Sequence, residues 1–213
     1  MKVIPKLILV GLILSGGLAH AAIVQYQDSS LFHAATTGGV METFEGYAAP
    51  ASFVDVANQT VGNITYPDYG FIVDSAFSGG GYDWGSGAVL ILNQSATDTL
   101  SFAPTTAFSA SFGTALPFAE NITVTIDGNS FLIGTTNFPN LSFYGWISDT
   151  PFSSISFSAG GGAFPILDNI FMARASTEVP EPASLAIFGL GLLGLLSVAA
   201  ARRRPLAAGG MGR

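Results

Sequence analysis

Residues 122–133 read ITVTIDGNSFLI, and they constrain the fold more than any other stretch of the chain. Ile122, Val124 and Ile126 recur at every second position, so an extended strand places all three on one face and Thr123 and Thr125 on the other. Asp127-Gly128 then supplies the residue pair that a two-residue hairpin turn needs, and a second apolar run comes next. The segments TLSFAPTTAFSASFGT (99–114) and PFSSISFSA (151–159) alternate bulky apolar residues with Ser, Thr or small residues in the same way. That is the period of a strand with one buried and one wet face. No segment before the C-terminal tail carries helical periodicity. Short strands divided by Gly, Pro, Asn and Asp loops predict an all-β fold over residues 22–178, an antiparallel β-sandwich. Phe102, Phe108, Phe112, Phe131, Phe143, Phe152 and Phe157 are expected in its core.

Charge narrows the functions open to such a domain. From residue 22 to residue 178 there are thirteen acids and one base, Arg174, leaving twelve net negative charges. Nucleic-acid phosphates require Lys and Arg to displace their counterions, so a nucleic-acid partner is excluded. There is no cysteine, which removes disulfides and thiol chemistry.

The two ends read as targeting signals. Lys2 and Lys6, an apolar run from Leu7 to Leu18, and Ala19-His20-Ala21 have the layout of a secretory signal peptide over residues 1–21. Signal peptidase and the Sec machinery are the partners this predicts. Residues 183–201 are nineteen uncharged residues, rich in Leu, Ala and Gly. As a helix they would rise about 28 Å, close to the hydrocarbon thickness of a bilayer. Pro180 and Pro182 stop any helix arriving from outside, and Arg202, Arg203 and Arg204 favour the cytoplasmic side of the inner membrane. One C-terminal transmembrane helix is therefore expected, with residues 205–213 as a cytoplasmic extension and the acidic domain outside.

Val179, Pro180, Glu181 and Pro182, leading into the span and the arginines, resemble the PEP-CTERM sorting tail of Gram-negative envelope proteins. That tail also goes under the label of an ice-binding protein C-terminal domain. The resemblance implies recognition by an exosortase, transient inner-membrane anchorage, and delivery to the cell surface or extracellular polymer matrix.

Catalytic equipment in the domain is sparse. His33 is its one histidine, lysine is absent after Lys6, and no serine stands in a G-x-S-x-G pattern. A non-enzymatic protein is expected. The competing class is a polysaccharide hydrolase built on paired carboxylates drawn from Glu42, Glu45, Asp68, Asp74 and Asp83. A purely structural matrix protein is the third class.

Residues 143–173 are similar to the closing strands of jelly-roll domains that accompany PEP-CTERM tails, which often carry an early Phe-Glu (here Phe44-Glu45) and a late Asp-Asn (here Asp168-Asn169). Strict alternation in ILDNIF would put Ile166, Asp168 and Ile170 on one face. A carboxylate there needs hydrogen-bond donors or a cation, and both remain open. A structural calcium held by Glu45 and Asp168, where first and last strands meet, is what the resemblance implies. Two stretches are candidates for facing a ligand: one with Tyr66, Tyr69, Tyr82 and Trp84, the other with Tyr144 and Trp146. Aromatic faces beside carboxylates suit sugar recognition, with extracellular polysaccharide as the partner; the competing role for these rings is core packing.

Overall fold

The computed structural model describes residues 22–94, 96–115 and 120–176. In chain order the elements are β1 (Ile23–Tyr26), α1 (Ser29–Ala34), β2 (Thr36–Glu42), β3 (Phe53–Asp55), β4 (Thr60–Val61), β5 (Ile64–Thr65), β6 (Phe71–Val73) and β7 (Val89–Ile91). After these come β8 (Asp98–Thr114), β9 (Asn121–Ile126), β10 (Asn129–Gly134), β11 (Thr136–Asn137), β12 (Ser142–Ala159) and β13 (Pro165–Ala175). Nearly every pairing is antiparallel; β11 on β8 is parallel. The expected signal peptide, the sorting tail and the transmembrane helix at residues 183–201 lie outside the described residues. Among the described residues no helix is long and apolar enough to cross a membrane.

The hairpin read from residues 122–133 is present. β9 and β10 pair from Ile126↔Asn129 to Asn121↔Gly134, and Ile122, Val124 and Ile126 are buried. Asp127 and Gly128 both take positive φ, 51° and 78°, the combination a tight hairpin turn requires.

β8 and β12, of 17 and 18 residues, organise the sheet. They run antiparallel to each other, but the register breaks between Ile147 and Ser154 of β12. Pro104 and Pro151 fall in this region of the two strands, and a residue without an N–H cannot continue a ladder. Each strand changes its outer neighbour across the break. β8 meets β5 at Ser101–Phe102 and β13 from Ala107 onward, while β12 meets β1 at residues 145–148 and β9 at residues 156–159. The other edge of β13 carries β7 at one end and β2 at the other, and β7 leads on to β6 and β3.

The main core joins inward faces from most strands, including Leu90, Phe108, Phe112, Trp146, Phe157 and Leu167. All seven expected phenylalanines take part in apolar clusters: five are buried, and Phe131 and Phe143 are partly buried. The short helix α1 is a correction to the helix-free expectation. Asp28 caps it, accepting hydrogen bonds from the Ser30 and Leu31 amides at 2.8 and 3.1 Å. Six residues are too few to show a helical period, so tertiary packing fixes the helix. Phe32 drives that packing: it is fully buried against Gly145, where a Cβ would stand 2.5 Å from its ring.

Candidate functional site

The first candidate is the junction of the segment after β2 with β7 and β13. Glu42 accepts the Phe44 amide at 3.1 Å, and Phe44 enters the core fully buried with φ 62°. This anchor turns Glu45 toward the start of β7, where its Oε1 accepts the Ala88 amide at 2.8 Å. β7 pairs with β13 at Ile91↔Ile166 and Leu90↔Leu167, a register that brings Val89 beside Asp168. The charge of Glu45 therefore acts on Asp168.

Asp168 is fully buried. Its Oδ1 accepts the Asn169 amide at 2.6 Å and its Oδ2 accepts Asn169 Nδ2 at 3.0 Å. Burial pushes its carboxyl up to about 6, opposed by the hydrogen bond from the Asn169 amide and reinforced by Glu45. Asn169 takes φ 51°, and the β13–β8 register shifts between Asp168 and Phe171. This bulge corrects the expected alternation: Leu167 and Ile170 share the main core, whereas Ile166 belongs to a second cluster. Protein donors satisfy both oxygens of Asp168. Among the described residues no group of three His, Cys, Asp or Glu side chains converges to hold a metal. Ser86, whose buried hydroxyl has no hydrogen-bond partner, sits in a glycine-flanked loop with no pattern to mark it in the sequence.

The second candidate is a cleft of about 280 Å³ lined by aromatic and aliphatic side chains. Tyr69 and Tyr82 are in its wall, so the structure brings these two expected residues together. Their partners there, Phe53, Phe71, Phe77 and Phe164, were not expected. The β3–β6 pairing sets Phe53 against Val73 and Asp55 against Phe71, bringing both phenylalanines to one wall. Phe53 meets Phe71 and Phe77 edge to face at 5.5 and 5.4 Å, Tyr69 meets Phe71 at 5.1 Å, and Phe77 meets Tyr82 at 5.6 Å. Burial raises the Tyr69 phenol above its usual pKa, with the charge of Asp98 adding to the effect.

The remaining aromatic candidates are corrected to packing positions. Trp146 is 0% exposed, Tyr66 3% and Trp84 4%. Trp146 stands mid-sheet opposite Phe108 in β8 and packs on Phe112 and Phe131. Trp84 lies under the cleft in the second cluster, its ring edge-to-face with Phe138 at 5.0 Å. Tyr144 is half-buried against the core, its hydroxyl donating to the Gly134 carbonyl at 2.8 Å. Tyr66, Trp84 and Trp146 present no free face to a ligand. His33 is exposed on α1, edge-to-face with Phe171 at 4.8 Å, and its neighbours there are aromatic rings rather than acids.

These features define a mostly β, acidic domain that is open at one aromatic cleft. The segment after the domain is more specific. Residues 178–204 match the family model described as the PEP-CTERM protein-sorting motif, so the chain carries the signal of an exported, exosortase-processed protein. That match contains Val179 through Pro182 and Arg202 through Arg204. No curated protein matches the chain. Among solved structures, one similar chain is the catalytic unit of a thermostable GH87 alpha-1,3-glucanase from Streptomyces thermodiastaticus strain HF3-3, with 11% identity and a TM-score of 0.34 over 64% of this chain and 28% of that one. Another is the exo-beta-1,3-galactanase Pc1,3Gal43A from Phanerochaete chrysosporium with galactose, with 17% identity and a TM-score of 0.33 over 64% of this chain and 29% of that one. The chain thus spans less than a third of either enzyme, and likenesses at these scores bear on neither its fold family nor its activity.

Proposed function

We propose that the chain is a non-enzymatic surface or matrix protein that binds carbohydrate through the aromatic cleft. In this reading the helix at residues 183–201 anchors it in the inner membrane until an exosortase acts near Pro180-Glu181-Pro182. The domain then remains at the cell surface or in the extracellular polymer. A jelly-roll sandwich is the matching fold; the two bent strands β8 and β12, each changing neighbours halfway, support it.

One observation carries the binding reading. Tyr69 and Tyr82, which stand on separate loops, share one open wall with four phenylalanines. Such a wall offers ring faces to sugar C–H groups and two hydroxyls to fix orientation. Hydrolysis requires a carboxylate within reach of the glycosidic oxygen, and the residues lining the cleft contribute none. The fully buried Asp168 is out of reach of a polymer.

The test is binding of the full-length chain to arrayed neutral and acidic polysaccharides. Tyr69→Ala and Tyr82→Ala should each weaken capture about tenfold while near-UV circular dichroism stays native. Release of reducing ends would favour the hydrolase, and a folded chain that captures no glycan would favour a structural matrix role.

A further inference from the structure

Asp98 begins β8 and is fully buried. Its Oδ2 accepts the Asn93 amide at 2.6 Å, but Oδ1 is buried with no hydrogen-bond partner. This distinguishes it from Asp168, whose two oxygens both accept from Asn169. A buried carboxylate oxygen without a donor is expensive, because lost hydration is replaced by nothing.

A second acid comes to the same place. β5 pairs antiparallel with β8 at Ile64↔Phe102 and Thr65↔Ser101, so the chain leaving β5 runs toward the start of β8, where the charge of Asp68 reaches Asp98. Asp68 is exposed, so the pair has one carboxylate inside and one at the surface. Burial lifts Asp98 to about 6, and the charge of Asp68 adds to the rise. Among the described residues no base stands by to relieve them. Arg174, the one base of the domain, pairs with Thr37 at one end of β13. Asn93 comes after Leu92, which is tied to Pro165 at the other end.

We propose that Asp98 Oδ1 and the Asp68 carboxylate hold a divalent cation of the calcium class, with water completing its shell. Hard cations of this kind take carboxylate oxygens in flexible geometries and tolerate several waters. Such an ion would supply the missing partner of Oδ1 and turn the repulsion between the two acids into affinity. It would also fix the segment that carries Tyr69, the residue next to Asp68, in the cleft wall. The site is separate from the Glu45–Asp168 junction and stands whether or not the cleft takes a glycan.

Calorimetric titration of the chelator-treated full-length chain with Ca2+ at neutral pH tests this directly. The wild type should bind, Asp98→Asn should abolish that site, and Asp68→Asn should weaken it about tenfold or more. Glu45→Gln and Asp168→Asn should leave it intact. Because Asp68 is exposed, Asp68→Asn separates loss of a ligand from loss of the fold, which circular dichroism monitors. A wild-type chain that takes up no calcium overturns the inference. So does uptake that Asp68→Asn leaves unchanged, or uptake lost in Glu45→Gln or Asp168→Asn instead.

Discussion

Glu45 Oε1 accepts the Ala88 amide at 2.8 Å across 43 positions of sequence, and that bond needs glycine at position 87. Gly87 has φ 99°, and a Cβ built there would overlap the Glu45 carboxylate. Gly87→Ala must therefore strain the backbone and displace Glu45 together. The expected cost is about 1–3 kcal/mol, read as a lower midpoint in urea at unchanged slope. Gly85, also at positive φ but with open space around its Cβ position, should cost less when replaced by Asn, which tolerates that conformation.

The buried acids set a pH dependence of unusual sign. Asp98 and Asp168 are each raised from 3.8 to about 6 in the folded chain. The folded state thus holds protons that the unfolded state has released. Their contribution is fully present below pH 3.8 and is lost as pH rises through about 6. In chelator, the melting temperature should fall between pH 4 and 7 by the equivalent of a few kcal/mol, on the order of 2–3 for each acid. Asp168→Asn should flatten that slope. A melting curve that instead climbs across this window would show both acids ionised and compensated in the fold.

The cap of α1 offers a local test. Asp28 accepts from two amides and the Ser30 hydroxyl, and these bonds hold its carboxyl below the usual range. Asp28→Ala should lower the urea midpoint, while Asp28→Asn, which still caps, should lower it less. Hydrogen exchange should place the loss at residues 29–35 rather than across the sheet.

Sorting is tested at the tail. Replacing Pro180, Glu181 and Pro182 with alanine in a strain holding the matching exosortase should leave an unprocessed, membrane-bound precursor. Identical mass and identical surface yield would remove the motif from the pathway. External protease should digest the domain in spheroplasts; its complete protection there would reverse the expected orientation.

The legible parts of this protein are those whose physics is local. Ile122, Val124 and Ile126 alternate because a strand alternates, and Asp127-Gly128 turns because both residues accept positive φ. The tail is legible for the same reason: its prolines, apolar run and arginines follow one another within a short stretch, and the sorting-motif match covers them. ILDNIF is misleading because alternation assumes an unbroken ladder, and Asn169 interrupts it with a bulge. Trp146 and Tyr69 look alike as aromatic, sugar-facing candidates in a glycine-rich chain. One lies mid-sheet opposite Phe108 and the other on a cleft wall, and only the strand pairing distinguishes them.

By itself, then, the sequence determined the all-β character, the hairpin at residues 122–133, the phenylalanine core and the sorting signal. Periodicity, turn chemistry and hydrophobic length act over a few residues and need no knowledge of the rest. Tertiary structure alone decided that the charge of Glu45 acts on Asp168, that the charge of Asp68 acts on Asp98, and that Tyr82 joins Tyr69 beside Phe53. Each of these depends on register between strands distant in the chain, and a shift of one residue would turn the same side chains to the opposite face.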